Sequence, residues 1–267
     1  MIKNILCLVT VLSFTVSSYA QEFKEVMRYE YKMTYRPQTE KDTLIEDITF
    51  LDVWDNNSRF ASEERVKFIE FVSDDKNAIF RRETLWGPNK ETSGQNWMIQ
   101  KEQQSVYYYN RVGSTFLKTK EILNTITWNI TEELSNYEGM QVQKATGDYK
   151  GRSWTVWFTK EIPLLEGPYK FKNLPGFVVK AASADGDYLF EFNKSEKAQT
   201  VLKYHNYENA AEINDVELKK LRKLVANKSK RQIYAEQGVT MNIIDNPEFE
   251  RDLNKKQGDS NNYIEKL

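Results

Sequence analysis

Apolar and polar side chains alternate along the first part of the chain. Between residues 26 and 36, one face of this alternation carries Met27, Tyr29, Tyr31, Met33 and Tyr35. The opposite face carries charged and polar side chains. Because successive side chains of a strand point to opposite faces, a period of two predicts a half-buried β-strand.

Further extended runs follow, and turn residues separate them. We predict strands at 43–54, 59–62, 78–86, 96–103, 105–112, 116–121, 125–130, 140–146, 152–159, 177–182 and 188–192. The pair Asp185 and Gly186 is typical of a tight hairpin. Residues 63–75 are charged with scattered apolar side chains, a pattern that fits either a short helix or an edge segment.

The period changes only after Asn214. Leu218, Leu221, Leu224 and Val225 form one helical stripe, and Asn214 or Asp215 can cap its start. This predicts a helix near 214–231. Strands joined by short turns form an antiparallel sheet, and a sheet this long must curve to bury its face. The fold class is therefore mainly β, a curved antiparallel sheet (half-barrel or sandwich) with a C-terminal helix.

The chain begins with the three parts of a secretory signal peptide. Lys3 supplies the positive charge, residues 5–16 are apolar, and the segment ends in small residues at Ala20. We predict residues 1–20 as signal peptide, 21–244 as one β-rich domain, and 245–267 as a loosely held polar tail. Export would place the protein in the periplasm, on the outer membrane or outside the cell.

Cleavage would remove the only cysteine, Cys7. The mature chain could then form no disulfide, thiolate metal site, cysteine nucleophile or lipoprotein anchor. Without Lys3, 37 basic residues face 39 acidic ones, so no overall field attracts nucleic acid. The predicted helix region is locally basic and could contact anionic lipid headgroups or form a solvated face. Its cations are Lys219, Lys220, Arg222, Lys223, Lys228, Lys230 and Arg231.

Catalytic motifs are scarce. The only histidine, His205, lacks the G-x-S-x-G motif of a serine hydrolase and cannot form a multi-histidine zinc site. The paired carboxylates are Glu63 with Glu64, Asp74 with Asp75, Glu132 with Glu133, and Asp185 with Asp187. Neighbours on a strand point to opposite faces, so spacing alone builds no acid–base site. We predict no catalytic residue, no cofactor and no metal site.

The most specific segment is a turn that leads into a predicted strand. It consists of Asn173, Leu174, Pro175, Gly176, Phe177 and Val178. Leu174 to Phe177 fits a type II turn, in which Gly176 would supply the positive φ. Gly167-Pro168-Tyr169 precedes this turn, and the first strand is rich in Tyr. Through these features and the turn, most of the mature chain resembles the GLPGLI family of secreted Bacteroidota proteins. The resemblance implies an exported β-rich envelope protein and no defined activity, with the turn as a fold determinant.

These observations favour a non-enzymatic protein that binds a small ligand or an envelope partner on its sheet. The candidate ligand surface comprises Tyr107, Tyr109, Trp154 and Trp157, and it predicts an open cavity lined by these rings. One alternative is a hydrolase with two carboxyls about 5–10 Å apart in one cleft. Another is a structural or assembly component of the outer envelope, which would expose an apolar patch or a strand edge.

Overall fold

The computed structural model describes residues 23–73, 97–202, 205–240, 246–256 and 261–267. The predicted signal peptide, the strand predicted at 78–86 and the pair Asp74 and Asp75 lie outside these ranges. Among the described residues, no helix is long and apolar enough to cross a membrane.

Twelve strands of the described part of the chain form one sheet with the order β12-β6-β5-β4-β3-β2-β1-β11-β10-β9-β8-β7. Their bounds are β1 (Phe23–Tyr35), β2 (Ile45–Trp54), β3 (Asn57–Ser62), β4 (Trp97–Glu102), β5 (Ser105–Val112), β6 (Thr115–Ile122), β7 (Asn129–Tyr137), β8 (Met140–Tyr149), β9 (Arg152–Thr159), β10 (Phe177–Ser183), β11 (Tyr188–Val201) and β12 (Ala211–Glu212). The ladders are antiparallel except for the short parallel pairing of β12 with β6. The predicted mainly β, antiparallel fold class is confirmed.

The sheet is strongly curled. The rings of Phe60 on β3 and Phe190 on β11 lie 5.9 Å apart, although three strand spacings separate these strands. In a flat sheet that separation would be about 14 Å, at about 4.8 Å for each spacing. Side chains of the second and eleventh strands of the order also meet, since the Tyr149 hydroxyl donates to Glu121 Oε2 at 2.6 Å.

Within the described ranges, five helices accompany the sheet. They are α1 (Glu63–Ser73), α2 (His205–Glu208), α3 (Asp215–Ala226), α4 (Lys230–Ala235) and α5 (Pro247–Asn254). The sequence did not decide between a short helix and an edge segment for residues 63–75. The structure shows that most of this range is helical, since α1 covers Glu63–Ser73. The helix predicted near 214–231 is α3 followed by α4, because a break at Asn227 and a new cap at Ser229 divide it. Asn214 forms a capping box with Glu217, as its position before the apolar stripe predicts.

The two faces of the sheet carry separate clusters of buried side chains. The larger cluster lies inside the curl and includes Tyr31, Trp154 and Phe190. The smaller one lies on the outer face, where Val66 and Ile69 of α1 pack with Met98 and Tyr109. Among the described residues, both faces of the central strands thus carry buried side chains.

The loop between β9 and β10 fills the inside of the curl. Its Tyr169 and Phe171 are completely buried, and Leu174 is nearly so. The predicted role of Gly176 in a type II turn is wrong, because Gly176 does not have a positive φ. The glycine is required for close packing, since a Cβ there would lie 2.2 Å from the Thr159 carbonyl oxygen. Asn173 does adopt a positive φ of 67°, which Asn tolerates better than most residues.

The end of the chain is packed rather than loose. The predicted loosely held tail is wrong for residues 261–267, where Asn262, Ile264 and Glu265 are buried. Arg152 holds this segment by donating from Nε to the Ile264 carbonyl at 3.1 Å and from an Nη to the Tyr263 carbonyl at 3.0 Å. The polar composition of this segment predicted that it would be exposed. The Arg152 guanidinium donates hydrogen bonds to its backbone carbonyls, so these polar groups are buried with hydrogen-bond partners.

Candidate functional site

The four predicted aromatic site residues do not share one surface. Trp154 is only 2% exposed and packs against Phe171 inside the curl, with ring centroids 4.5 Å apart. It is a core residue and is not available to a ligand. Trp157, on the other face of β9, is half-buried beneath Lys180, whose Nζ lies 5.7 Å from the ring centroid.

Tyr107 and Tyr109 lie together on the outer face of β5, with ring centroids 6.2 Å apart. Tyr207 of α2 meets Tyr109 edge to face at 5.2 Å. Tyr207 also contacts Phe116 of β6 at 5.7 Å. A strand and a helix about a hundred residues apart thus build one aromatic wall, of which sequence reasoning found only the strand half.

This wall borders an open cavity of about 570 Å³. The lining side chains come from neighbouring hairpin turns, from β5 and from α2. They are Trp54, Asn57, Gln100, Glu102, Gln103, Ser105, Tyr107, Tyr109, Leu202, Tyr207 and Glu208. The β2–β3 and β4–β5 turns are joined directly, since the backbone N–H of Gln103 donates to Asn57 Oδ1 at 3.3 Å. We call this opening the aromatic cavity.

The aromatic cavity combines neutral phenols with carboxylates. Burial raises the pKa of Tyr109 to about 12, and the nearby Glu102 and Glu208 add to that effect. Burial also raises the pKa of Tyr207. Both phenols are therefore uncharged at neutral pH, and the hydroxyl oxygen of Tyr207 is itself buried. Gln100 donates from Nε2 to Glu102 Oε1 at 2.6 Å, which orients one carboxylate at the cavity.

Of the paired carboxylates found in the sequence, the three pairs that lie within the described ranges do not line this cavity. Glu63 and Glu64 lie in the first turn of α1, and Glu132 and Glu133 lie on the exposed strand β7. Asp185 and Asp187 both bind the Arg152 guanidinium. Burial opposes ionisation of Asp185, but hydrogen bonds from Ser183 and Lys266 outweigh it and lower its pKa to about 2. A carboxyl held ionised in this way is a structural partner and a poor general acid.

A second opening, of about 450 Å³, lies between β6 and the start of α3. Its walls carry several carboxylates, including Glu121, Glu212, Asp215 and Glu217, and no aromatic ring. Among the described residues, no group of three or more His, Cys, Asp or Glu side chains is placed to hold a metal ion. Of these two openings, the aromatic cavity is the one that joins rings to polar groups.

The described residues also contain clusters of buried ions that were not predicted, and two of them lie around the loop between β9 and β10. In the first, Glu265 accepts from Lys170 Nζ at 2.5 Å and from the Tyr169 hydroxyl at 2.6 Å. Burial disfavours the Glu265 carboxylate, yet Lys170 and Lys150 outweigh it and lower the pKa of Glu265 to about 2. These partners are far apart in the sequence, so no local pattern joins them.

In the second cluster, Lys172 pairs with Glu166, which also accepts from Lys101 Nζ at 2.6 Å. Lys172 Nζ lies 3.2 Å from Ser58 Oγ, an arrangement that resembles a serine–lysine dyad. Both side chains are buried, however, and the cavity beside Lys172 is only about 20 Å³, room for about one water molecule. This cluster anchors the loop between β9 and β10 to β3.

Comparison with known proteins gives one family match. Residues 97–180, from β4 into β10, match the model of a family described as a protein of unknown function (Porph_ging). The matched segment contains Tyr107, Tyr109 and the turn at Asn173. It does not include Tyr207 and Glu208, which complete the aromatic cavity. No curated protein matches the chain.

Solved structures give weaker likenesses. PNGF-II in two crystal forms, C2 and P21, aligns with TM-scores of 0.49 and 0.48 at 14% and 15% identity, over 74% of this chain and 33% of PNGF-II. The chain thus spans about a third of the length of PNGF-II. A LolA superfamily protein, NE2245 from Nitrosomonas europaea, aligns with a TM-score of 0.27 at 6% identity, over 67% of this chain and 87% of that protein. By the family match, residues 97–180 are similar to the Porph_ging family model, which is described as a protein of unknown function.

Proposed function

We propose that this chain is a non-enzymatic binding protein of the cell envelope, and that the aromatic cavity is its ligand site. The observation that carries the proposal is an open cavity of about 570 Å³ with rings on one wall and amides and carboxylates around it. Small-molecule sites usually measure about 300–1,000 Å³ and combine apolar walls with a few polar groups. The buried side chains of the loop between β9 and β10 occupy the inside of the curl, which favours this site on the outer face.

We further propose that the chain is a GLPGLI-type protein exported by its signal peptide. The support is the resemblance around Leu174, Pro175 and Gly176, together with the N-terminal residues 1–20. The close approach of Gly176 to Thr159 gives the turn a structural reason to be kept, because any larger residue would collide. Export would place the aromatic cavity in the periplasm, at the outer membrane or outside the cell.

Contact with an anionic membrane is a weaker proposal than the sequence suggested. Arg222 is buried and donates to the Tyr108 hydroxyl at 2.8 Å. Lys228, Lys230 and Arg231 are engaged with Glu236, Asp252 and Glu250, respectively. The remaining cations of the predicted basic face are Lys219, Lys220 and Lys223, which are exposed on α3. Three lysines would contribute only about 3 kcal/mol at an anionic surface.

A carboxylate hydrolase remains the second candidate, and one observation favours it. Glu102 and Glu208 line the same cavity, so a substrate bound on the rings would meet two carboxyls. An assembly role is the third candidate. Within the described sheet, β7 has a partner strand on one side only, and its Ile130 and Leu134 are exposed.

A ligand screen tests the leading proposal. The full chain would be screened by ligand-observed NMR against short saccharides, amines, fatty acids and dipeptides. We expect at least one compound to bind with a Kd of about 1 mM or tighter, and Tyr107→Ala to weaken that compound at least about tenfold. Trp157→Ala is the matched control, because it removes a half-buried ring outside the cavity and should leave binding unchanged.

Two outcomes would overturn the proposal. One is a screen in which no compound binds, or in which Tyr107→Ala and Trp157→Ala behave alike. The other is conversion of a bound compound into products, lost in Glu208→Gln, which would establish the hydrolase. Circular dichroism of each variant confirms that the fold is retained.

A further inference from the structure

We infer that the aromatic cavity takes a neutral oligosaccharide, an inference that rests on the proposed binding function and narrows it to one ligand class. The lining combines four rings, three side-chain amides, a hydroxyl and two carboxylates. Among the lining residues that the structure describes, there is no lysine and no arginine. Each part of this inventory matches one part of a sugar.

The rings match the apolar face of a pyranose. A sugar ring presents axial C–H groups on its faces, and these pack against the electron-rich face of an aromatic ring. Tyr107 is half-buried and tilted 35° from Tyr109, whereas Tyr207 stands nearly edge-on at 64° to Tyr109. Tyr109 and Tyr207 are only 7% and 4% exposed, so the half-buried Tyr107 and Trp54 supply the accessible ring surface for a sugar unit.

The amides match the sugar hydroxyls. A hydroxyl both donates and accepts, and so does a side-chain amide, which makes Asn57, Gln100 and Gln103 suitable partners. Carboxylates accept strongly from hydroxyls, and such charge-assisted bonds are stronger than neutral ones. The buried phenol of Tyr109 adds a donor, since its raised pKa keeps it protonated.

Other ligand classes fit less well. Glu102 and Glu208 would repel an anion. Lys118 and Lys120, whose Nζ atoms lie 5.8 and 5.7 Å from the ring centroid of Tyr107, are outside the lining. A fatty acyl chain would bury the amides without hydrogen bonds, and each unpaired amide would weaken its binding. A cationic peptide remains as a distinct outcome of the test, because carboxylates and rings also bind cations.

A glycan array provides the test, with the full chain applied to neutral, sialylated and sulfated oligosaccharides and to an arginine-rich peptide. We expect binding to neutral oligosaccharides only. The strongest neutral glycan is then titrated calorimetrically against the variants. Tyr107→Ala should weaken it at least about tenfold, the typical loss at a central aromatic contact.

Gln100→Ala should weaken the same glycan about fivefold, the equivalent of one lost hydrogen bond. Gln143→Ala is its matched control, because Gln143 is also a half-buried strand amide with one hydrogen bond and lies outside the cavity. Binding of a neutral sugar should change less than twofold when salt rises from low to high concentration, whereas a cationic ligand would be weakened.

The outcomes separate this inference from the proposed function. If the cavity binds the arginine-rich peptide or a sulfated glycan but no neutral glycan, the inference of a neutral oligosaccharide is overturned and the proposed binding function stands. If a neutral glycan binds but Gln100→Ala and Gln143→Ala act equally, the glycan sits elsewhere and the inference also fails. If no probe binds here or in the NMR screen, both fail together.

Discussion

Replacing Glu265 by glutamine tests how the end of the chain is held. The Glu265 carboxylate is 2% exposed and accepts from Lys170 Nζ at 2.5 Å, from the Tyr169 hydroxyl at 2.6 Å and from Lys150 Nζ at 3.2 Å. Glu265→Gln keeps the shape of the side chain and removes its charge. Lys170 keeps a second carboxylate partner, Glu121, at 2.5 Å.

Two independent arguments give the size of the effect. The pKa of Glu265 is lowered from 4.5 to about 2, which corresponds to about 3 kcal/mol of stabilisation at neutral pH. Removing one partner of a buried ion pair typically costs about 3–5 kcal/mol. Because Glu121 still neutralises Lys170, we expect the lower end, a loss of about 3 kcal/mol in the free energy of unfolding. That is a large fraction of the roughly 5–15 kcal/mol of a typical domain.

Urea unfolding followed by tryptophan fluorescence provides the measurement. Glu46→Gln is the matched control, because Glu46 pairs with Lys32 at 2.6 Å but both side chains are exposed. Such a surface pair contributes about 0–1 kcal/mol. A loss below about 1 kcal/mol for Glu265→Gln at neutral pH, or a loss equal to that of Glu46→Gln, would refute the reasoning.

The pH dependence gives a second check. A carboxyl with a lowered folded-state pKa stabilises the protein fully above its unfolded value and loses that contribution as pH falls. For Glu265 the window runs from about 4.5 down to about 2. The difference between the native chain and Glu265→Gln should therefore shrink to about 1 kcal/mol near pH 3. A difference that stays constant across this window would contradict the assigned ion pair.

Two further predictions concern the turn and the end of the chain. Gly176→Ala should destabilise the protein by about 1–3 kcal/mol in urea unfolding, because the new Cβ would lie 2.2 Å from the Thr159 carbonyl oxygen. Gly139→Ala is the control: no atom lies within 4 Å of its Cβ, so only its positive φ should cost stability, by no more than about 1 kcal/mol. Equal losses for the two variants would contradict the packing argument. Arg152→Lys removes the planar guanidinium that donates to the backbone of residues 261–267. Hydrogen exchange of the backbone amides in that segment should become at least about tenfold faster relative to the β-strands. Unchanged exchange would show that the guanidinium does not hold the segment.

The sequence alone determined the local features. Alternation predicted β1, Asp185 and Gly186 predicted the β10–β11 hairpin, and Asn214 predicted the cap of α3. Each of these depends on residues within a few positions of one another, because strand period, turn conformation and helix capping are properties of short segments. Tyr107 and Tyr109 were found for the same reason, since they lie on one face of one strand.

Only the tertiary structure decided which rings are accessible and which ions meet. The curl of the sheet and the loop between β9 and β10 buried Trp154, while α2 brought Tyr207 to Tyr109 and left a cavity beside them. The buried pair of Lys170 and Glu265 joins residues 95 positions apart. Such contacts depend on how the strands, helices and loops pack against one another after they form. The sequence therefore shows which residues are present but does not predict which distant residues come into contact.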